Sequence, residues 1–494
     1  MKHFLRGVLF ACLPTVFVLG IAELALRAAG AKPATANLSR GFDQAGTYVA
    51  PDPELPGGYR THIFPPQHQH MEFHIPAKGE ARRVLLLGGS NTESFPEEIL
   101  EQELERRNPD REAGYEVVNL GRQGYGSARV ATLLAQSLVL EPDLVVIYSG
   151  HNEFIELDFQ LELAALEQDT SSLRRLLRHS VAFTALSNRL EPKQVWNSGE
   201  EPKTDPKWLH EESRAFTYQQ TLERFERYRG NLELMFRLAR EAGAEILICT
   251  PVSNELAMPL GWELPESFPP AQVAGYKQQR QEWMKRLPEP MSAFIPRTGR
   301  DRIKSFAWVV EEVVEPDLAN VPRLRELAEP FNTDPPYLQS PGRWIPQLAR
   351  RLAVQEQYFH APLDEAERGG LERFLADGKR FTDRVPDDPM VHFGRGIALL
   401  RLGRGAEAAE ALHLAAARDR GPQSANDTSN DIVRALAAAN DDVHLFDSQA
   451  LYRERTPNGI VGYELMRDEC HLHTRAYRQL MLDLAPHILL HENP

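Results

Sequence analysis

The chain has 494 residues, of which 42% are hydrophobic and 26% charged, and its formal net charge is −14. This is the composition of an ordinary globular protein, long enough for two or three cores. The acidic balance argues against nucleic acid as a partner, and the three distant cysteines, Cys12, Cys249 and Cys470, do not form the pattern of a disulfide framework or a zinc motif.

The amino terminus carries an apolar segment. Lys2 and Arg6 precede an apolar run over 7–26 that only Glu23 interrupts, and a helix of this length spans about 30 Å, the thickness of a hydrocarbon core. Small residues at 29–31 would also suit a cleaved signal peptide, but the apolar region of such a peptide usually has only about 7–15 residues. The length favours a retained anchor within residues 1–30. A single-pass anchor in the cytoplasmic membrane would leave the rest of the chain on the extracytoplasmic side.

Residues 31–80 are rich in Pro, Gly and His without a sustained period, which is typical of an extended lead-in. Beyond them, apolar strands alternate with helices. Strands are predicted at 84–87, 115–120, 144–148, 245–250 and 443–446, and helices at 97–107, 127–138, 218–241 and 473–484, the last ending before Pro486. This alternation predicts an α/β domain whose parallel sheet of about five strands is covered by helices on both faces.

Two large, mostly helical inserts separate these elements. Residues 155–215 interrupt the first part of the core, 81–250, and residues 251–440 divide it from the second part, 441–494. Within 389–420, the spacing of one tetratricopeptide repeat is matched by Gly396, Leu399, Gly403, Ala408, Leu412, Ala415 and Asp419. A single repeat cannot bury its apolar face alone, so we expect it to pack on the helix around 371–381 and on the core. An ordinary helical hairpin and a docking surface for a protein partner both remain open.

Polar residues and glycines follow the predicted strands. Ser90 comes after the first strand, Gly124 after the second and Asn152 after the third, while Asp468 and His471 follow the fifth. The carboxyl ends of parallel strands line one edge of a sheet, where ligands bind. A serine nucleophile needs a general base and donors for the developing oxyanion. His471 can supply the base, and Asp468 can hold its ring in the useful tautomer.

These blocks resemble those of the SGNH (GDSL-type) hydrolases: Ser90, Gly124, Gly150-His151-Asn152 and Asp468-Glu469-Cys470-His471. The likeness covers 82–154, 217–252 and 442–486. It implies a three-layer α/β/α, flavodoxin-like fold without a cofactor. It also implies that Ser90 is the nucleophile, His471 the base and Asp468 its partner, with an oxyanion hole formed by the amides of Ser90 and Gly124 and the Asn152 side chain.

One block departs from the family. The chain reads Gly88-Gly89-Ser90 where Gly-Asp-Ser is usual, a variant similar to membrane-anchored members, and the change leaves open how this loop is braced.

Other interpretations of the same residues are weaker. Ser90 alone could cap a helix. Asp468, Cys470, His471 and His473 could suggest a metal site, but ligands crowded into six residues cannot easily surround one ion. The glycines at 121, 124 and 126 lack the arrangement and the following Lys-Ser/Thr pair of a phosphate-binding loop.

The sequence therefore predicts a serine esterase at the cell envelope, acting on an O-acyl carbohydrate or a lipid ester. The alternatives are an envelope O-acyltransferase that uses the same triad, and a membrane-anchored scaffold without activity that binds a partner through the helical insert.

Overall fold

The computed structural model describes residues 20–28, 49–61, 74–122, 124–154, 180–182, 218–259, 264–265, 267–287, 362–420 and 424–490. They belong to two compact units. One lies within 1–77 and 157–204, and the other within 78–156 and 205–494.

The first unit contains a short helical segment and a small antiparallel sheet. Residues 20–28 are helical, and Glu23 accepts hydrogen bonds from the hydroxyl of Ser180 and the amides of Val181 and Ala182 over 2.8–2.9 Å. Strands β1 (Val49–Pro51), β2 (Tyr59–Thr61) and β3 (His74–Ile75) pair in that order. The region interpreted as an extended lead-in therefore holds three strands, each too short to show a period of two in the sequence.

Among the residues that the structure describes, no helix is long and apolar enough to cross a bilayer. Most of the apolar run predicted to anchor the chain, from 7 to 19, lies outside these residues.

The second unit is built on a five-stranded parallel sheet, and the predicted α/β fold class is confirmed. Its strands are β4 (Arg82–Gly88), β5 (Tyr115–Asn119), β6 (Leu144–Tyr148), β7 (Glu245–Cys249) and β8 (Val443–Phe446). They lie in the order β5-β4-β6-β7-β8, and every neighbouring pair is parallel. This is the doubly wound, flavodoxin-like order, in which β5 is added on one side of β4 and the later strands β6, β7 and β8 on the other.

The helices of the second unit cover the sheet and fill the long insert. They are α1 (Ser90–Glu93), α2 (Glu97–Arg107), α3 (Ser127–Ser137), α4 (Tyr218–Glu241), α5 (Val273–Met284), α6 (Glu365–Arg384), α7 (Pro389–Arg401), α8 (Gly405–Ala417), α9 (Asp427–Ala438), α10 (Ser448–Arg455) and α11 (Thr474–Leu489). Short 3₁₀ turns occur at Leu138–Leu140, Pro270–Gln272 and Pro457–Gly459.

Helices cover both faces of the sheet because its strands are apolar on both sides. In β4 the side chains of Val84 and Leu86 join one cluster with residues of α2, α10 and α11, while Leu85 and Leu87, which alternate with them, are also fully buried. Helices α3, α4 and α9 contact one another and the strands, and they form a second layer of helices. The result is three layers with the sheet in the middle.

The closing helix differs from its prediction. Helix α11 was expected to stop before Pro486, but it continues to Leu489 with the proline inside it. Proline removes one backbone donor from the last turn. Ala485 and Ile488 on either side of it are buried in the same apolar cluster as α2, and their burial outweighs the lost hydrogen bond.

A separate apolar cluster organises the long insert. The Trp283 ring of α5 stacks on Phe374 of α6 with ring centroids 4.2 Å apart, and its indole N–H donates to the Phe374 carbonyl. Helices α7 and α8 join this cluster through residues such as Ile397 and Leu412. The helical pair at 389–420 therefore packs on the helix that contains Leu371, as a single helical unit requires.

Glycine is needed where α7 meets α8. A Cβ on Gly396 would fall 2.6 Å from Cγ of Leu412, whereas a Cβ on Gly370 in α6 would meet nothing within 4 Å. We expect Gly396→Ala to destabilise the protein by about 1 kcal/mol, because overpacking exceeds the gain in helix propensity.

The matched control, Gly370→Ala, should stabilise the protein by about 0.5–1 kcal/mol through the same propensity. Urea denaturation of both full-length variants checks the pair, and shifts of the same sign would contradict the packing argument.

Candidate active site

A chain of hydrogen bonds joins Ser90, His471 and Asp468. The Ser90 hydroxyl lies 2.7 Å from Nε2 of His471, and Nδ1 of that ring lies 2.9 and 3.0 Å from the two carboxylate oxygens of Asp468. Because an ionised carboxylate only accepts, Nδ1 carries the proton of the neutral ring and Nε2 accepts from the hydroxyl. This geometry permits transfer of the Ser90 proton to His471.

The Asp468 carboxylate is held by its own loop. Its Oδ1 accepts from the backbone amides of Cys470 and His471 over 3.0 and 2.7 Å. Burial by itself would raise the pKa of Asp468, but the charge and hydrogen bonds of His471 outweigh burial and hold that pKa below its ordinary value. Asp468 is therefore ionised at neutral pH and can stabilise an imidazolium beside it.

Ser90 begins α1 directly after β4. Gly89 is the N-cap, and no side chain in the described part of the chain caps this helix, so the serine hydroxyl is not used for capping. The turn is braced from outside, because Tyr477 of α11 donates to the Asn91 side chain over 2.7 Å and Asn119 donates to the Thr92 carbonyl over 2.7 Å. These contacts show how the loop at Gly88-Gly89-Ser90 is braced, which the sequence left open.

Asn152 lies against the turn that presents Ser90. Its side-chain amide donates one hydrogen to the Tyr125 carbonyl over 3.0 Å, which leaves its second hydrogen for another acceptor. A Cβ on Gly89 would fall 2.5 Å from Nδ2 of Asn152 and 3.0 Å from that carbonyl oxygen. Glycine at 89 therefore permits the close approach of Asn152 to the turn.

Gly124 lies on the loop that follows β5, next to Tyr125. Its φ of 74° is left-handed, a conformation that favours glycine. The same loop packs on the turn of Ser90, because Arg122 donates its amide to the Gly88 carbonyl over 3.1 Å and a Cβ on Gly121 would fall 2.1 Å from the Glu93 nitrogen. The five residues singled out in the sequence are thus gathered at the carboxyl edge of the sheet.

The buried residue Glu153 supports the site and was not predicted from the sequence. Its carboxylate accepts from the amide and hydroxyl of Ser127 over 2.8 and 2.7 Å and from Arg224 over 3.1 Å. It thereby ties the loop of Asn152 to the first turn of α3 and to α4. The signal was present in the sequence as an acidic residue directly after Gly150-His151-Asn152.

Asn254 was also missed, because the core was expected to end at 250. Its backbone amide donates to the Glu469 carbonyl over 3.0 Å, and its side chain donates to the Asp468 carbonyl over 3.1 Å. The next residue, Glu255, accepts from the Val461 amide over 2.8 Å and from Arg453 over 2.6 Å. The start of the long insert therefore holds the loop that carries Asp468 and His471.

His151 is a buried imidazole behind this loop. It is only 4% exposed, and the backbone amide of Ala425 donates to its Nδ1 over 3.1 Å. Burial, together with the nearby charge of His471, lowers the pKa of His151 to about 3. His151 is therefore neutral at every pH at which the protein is expected to work.

The alternative of a metal site rests on Asp468, Cys470 and His471, whose ligand atoms lie within 4.8 Å of one another. Burial raises the pKa of the Cys470 thiol well above its ordinary value, and a protonated thiol is a poor ligand. Both nitrogens of His473 make hydrogen bonds, one with the Ala476 amide and the other with the Glu464 carbonyl. These contacts favour the hydrogen-bonded arrangement over a metal centre.

Comparison with known proteins gives only distant similarities. No family model matches the chain, and no curated protein matches it. Among solved structures, a GDSL-like lipase from Bacteroides thetaiotaomicron VPI-5482 is 16% identical, with a TM-score of 0.17, over 35% of this chain and 51% of the lipase. A proposed acylhydrolase from Bacteroides fragilis NCTC 9343 is also 16% identical, with a TM-score of 0.18, over 42% of this chain and 65% of the other. The chain thus spans less than two thirds of either protein.

The neutral state of His151 predicts a pH dependence of stability. Its pKa in the folded protein, about 3, lies below the ordinary value of 6.5, so the unfolded chain binds more protons between these values. The stability that the neutral His151 ring contributes is therefore fully present above pH 6.5, and it is lost as the pH falls toward 3. We expect the free energy of unfolding of the wild type, relative to His151→Gln, to fall by about 1 kcal/mol per pH unit once the pH is well below 6.5. Urea denaturation at pH 7, 6 and 5 measures the difference, and parallel curves would contradict it.

Proposed function

We propose that this chain is a serine esterase of the SGNH hydrolase type. The observation that carries the proposal is the hydrogen bond between Ser90 and His471, two residues 381 positions apart, continued from the same ring to Asp468. Nucleophile, base and orienting carboxylate in this order are the constellation that activates a serine hydroxyl. The position of Asn152 beside the same turn supports an oxyanion hole there.

The proposed reaction is acyl transfer from an ester. Ser90 attacks the ester carbonyl carbon while Nε2 of His471 accepts the hydroxyl proton, and Asp468 stabilises the imidazolium that forms. The amides of Ser90 and Gly124 and the free hydrogen of the Asn152 side chain hold the oxyanion. His471 then gives its proton to the leaving alcohol. Water, activated by the same ring, attacks the acyl-enzyme, which releases the acid and restores Ser90.

We infer the class of substrate from the expected location. Lys2 and Arg6 before the apolar run at 7–26 support an anchor in the cytoplasmic membrane with the enzyme on its outer side. The esters present there include O-acyl carbohydrates and lipids. Asn254 donates to the loop of Asp468, so the beginning of the long insert lies beside the site. This position supports a role for the insert in selecting the ester.

The first test replaces the nucleophile. Ser90→Ala should abolish hydrolysis of p-nitrophenyl acetate and covalent labelling by a fluorophosphonate probe, because no other hydroxyl lies against His471 among the described residues. Thr132→Ala is the matched control, since this hydroxyl is on the exposed side of α3. Full activity in Ser90→Ala would show that the assignment is wrong.

The second test concerns the oxyanion donor. Asn152→Ala should lower kcat by about 10²–10³, the usual effect of removing one such donor. Gly89→Ala should also lower kcat, by tenfold or more, because its Cβ would displace the Asn152 amide from which it would lie only 2.5 Å away. If the two effects share this cause, the double variant will be little slower than Asn152→Ala alone. Fully additive losses in kcat would contradict the displacement.

A further inference from the structure

Two consecutive side chains after β6, those of Asn152 and Glu153, hold the loop between β5 and α3. The Asn152 amide donates to the Tyr125 carbonyl over 3.0 Å. Further along the same loop, the amide and hydroxyl of Ser127 donate to the Glu153 carboxylate over 2.8 and 2.7 Å. Gly124, which supplies another of the proposed oxyanion donors, directly precedes Tyr125. The position of Gly124 relative to the Asn152 side chain therefore depends on two contacts, one at 125 and one at 127.

Glu153 also caps α3. Gly126 is the N-cap of this helix and has no side chain with which to accept from its first amides. The Glu153 carboxylate accepts from one of these amides, that of Ser127, and its negative charge suits the positive end of the helix dipole. The start of α3 is therefore fixed by a residue that follows another strand.

The Glu153 carboxylate is itself held by α4. Arg224 donates to it over 3.1 Å, and the side chains of Arg224 and Glu153 are 0% and 1% exposed. Asn231, further along α4, donates to the Ser127 hydroxyl over 2.9 Å. The carboxylate and the hydroxyl that donates to it are thus oriented by the same helix.

Stability alone does not account for this buried pair. Taking a carboxylate and a guanidinium out of water costs free energy that their attraction offsets only in part, so a buried ion pair often adds little net stability. Its hydrogen bonds do fix direction and distance, because the partners of Glu153 lie on two different helices. Position matters at an oxyanion hole, where a displacement of about 1 Å can lower the rate about 10²-fold.

We propose that Glu153 is a positioning residue, whose carboxylate sets the spacing between the Asn152 side chain and the Gly124 amide so that both donors reach one oxyanion. It acts through Ser127 and the loop before it, without touching the reacting atoms. The inference rests on the proposed esterase function, because the spacing of the donors affects the rate only where an oxyanion forms.

The test variant is Glu153→Gln in the full-length protein. Gln has the same size, but a nitrogen replaces one acceptor oxygen, so at least one of the hydrogen bonds from Ser127 and Arg224 is lost. The kcat for p-nitrophenyl acetate should fall by about 10–100-fold while KM changes by less than about twofold, because the donors act on the oxyanion and not on the bound ester.

The matched control is Asp388→Asn. Asp388 is likewise a buried carboxylate that caps a helix, since it accepts from two amides at the start of α7, and it pairs with Arg280 over 2.9 Å. It belongs to the long insert, so its replacement should lower the free energy of unfolding and leave kcat within about twofold of the wild type.

A second ester separates positioning from general damage. In p-nitrophenyl thionoacetate the carbonyl oxygen is replaced by sulfur, a weak hydrogen-bond acceptor, so the oxyanion donors contribute less to its hydrolysis. Glu153→Gln should therefore slow the oxygen ester at least about fivefold more than the thionoester. In Asn152→Ala, where one donor is already absent, adding Glu153→Gln should lower kcat by less than about a further threefold.

Each outcome decides the matter. An unchanged kcat in Glu153→Gln, equal losses on the two esters, losses that multiply fully with Asn152→Ala, or a comparable fall in kcat in Asp388→Asn would each overturn the inference alone. If Glu153→Gln does not fold, Ser127→Ala replaces it; this variant removes only the hydroxyl contact and should give the same pattern with a loss of about three- to tenfold. A wild-type protein that hydrolyses neither ester and whose Ser90 is not labelled by a fluorophosphonate would instead overturn the proposed function, and the inference with it.

Discussion

The Ser90–His471 hydrogen bond depends on a constraint of the parallel sheet. All five strands run in the same direction, so every strand delivers the residue that follows it to the same edge. Strand β4, which precedes Ser90, lies between β5 and β6, so Gly124 and Asn152 arrive from its two immediate neighbours. His471 follows β8, which lies two strands beyond β6 in the sheet. The long loop after β8 returns toward β4 and brings the imidazole to Ser90. The loop, more than the sheet, determines whether the site is assembled.

That loop is held by the chain segment at which the long insert begins. Asn254, just after β7, holds the carbonyls of Asp468 and Glu469. Ala425, just before α9, donates to His151 and accepts from Ser253, the residue before Asn254. The two ends of the insert between β7 and β8 therefore hydrogen-bond residues that follow the strands of the sheet. Changes in the packing of the insert can therefore reach the loop of His471 through the hydrogen bonds of Asn254, which are a physical basis for coupling between them.

The parts of the fold that follow from local apolar patterning could be predicted from the sequence. Strand β6 and helix α2 were predicted to the residue, and helix α4 to its end at Glu241, since a fully apolar run or an amphipathic period of 3.6 marks each of them. Strands β1–β3 were not predicted, because two or three residues carry no period. The end of α11 was wrong, because burial of Ile488 is a tertiary effect that a local proline rule cannot include.

The same division applies to the candidate site. Ser90, Gly124, Asn152, Asp468 and His471 were selected because each follows a strand and carries a recognisable chemistry. The residues that hold them, Glu153, Asn254 and Tyr477, act through contacts across 26 to 386 positions of sequence. Nothing in one sequence reveals such pairs. The contact of His151 with the Ala425 amide, 274 positions away, is another such pair.

The glycine at position 89 illustrates how the absence of one side chain shapes a site. Without a side chain there, the Asn152 amide approaches the turn closely. The turn is held from outside by Tyr477, whose hydroxyl donates to the Asn91 side chain. Tyr477 can do so because α11 is packed against α2 and the sheet along its whole length, beyond Pro486 to Ile488. A firmly packed closing helix therefore supports the turn at Ser90 from outside.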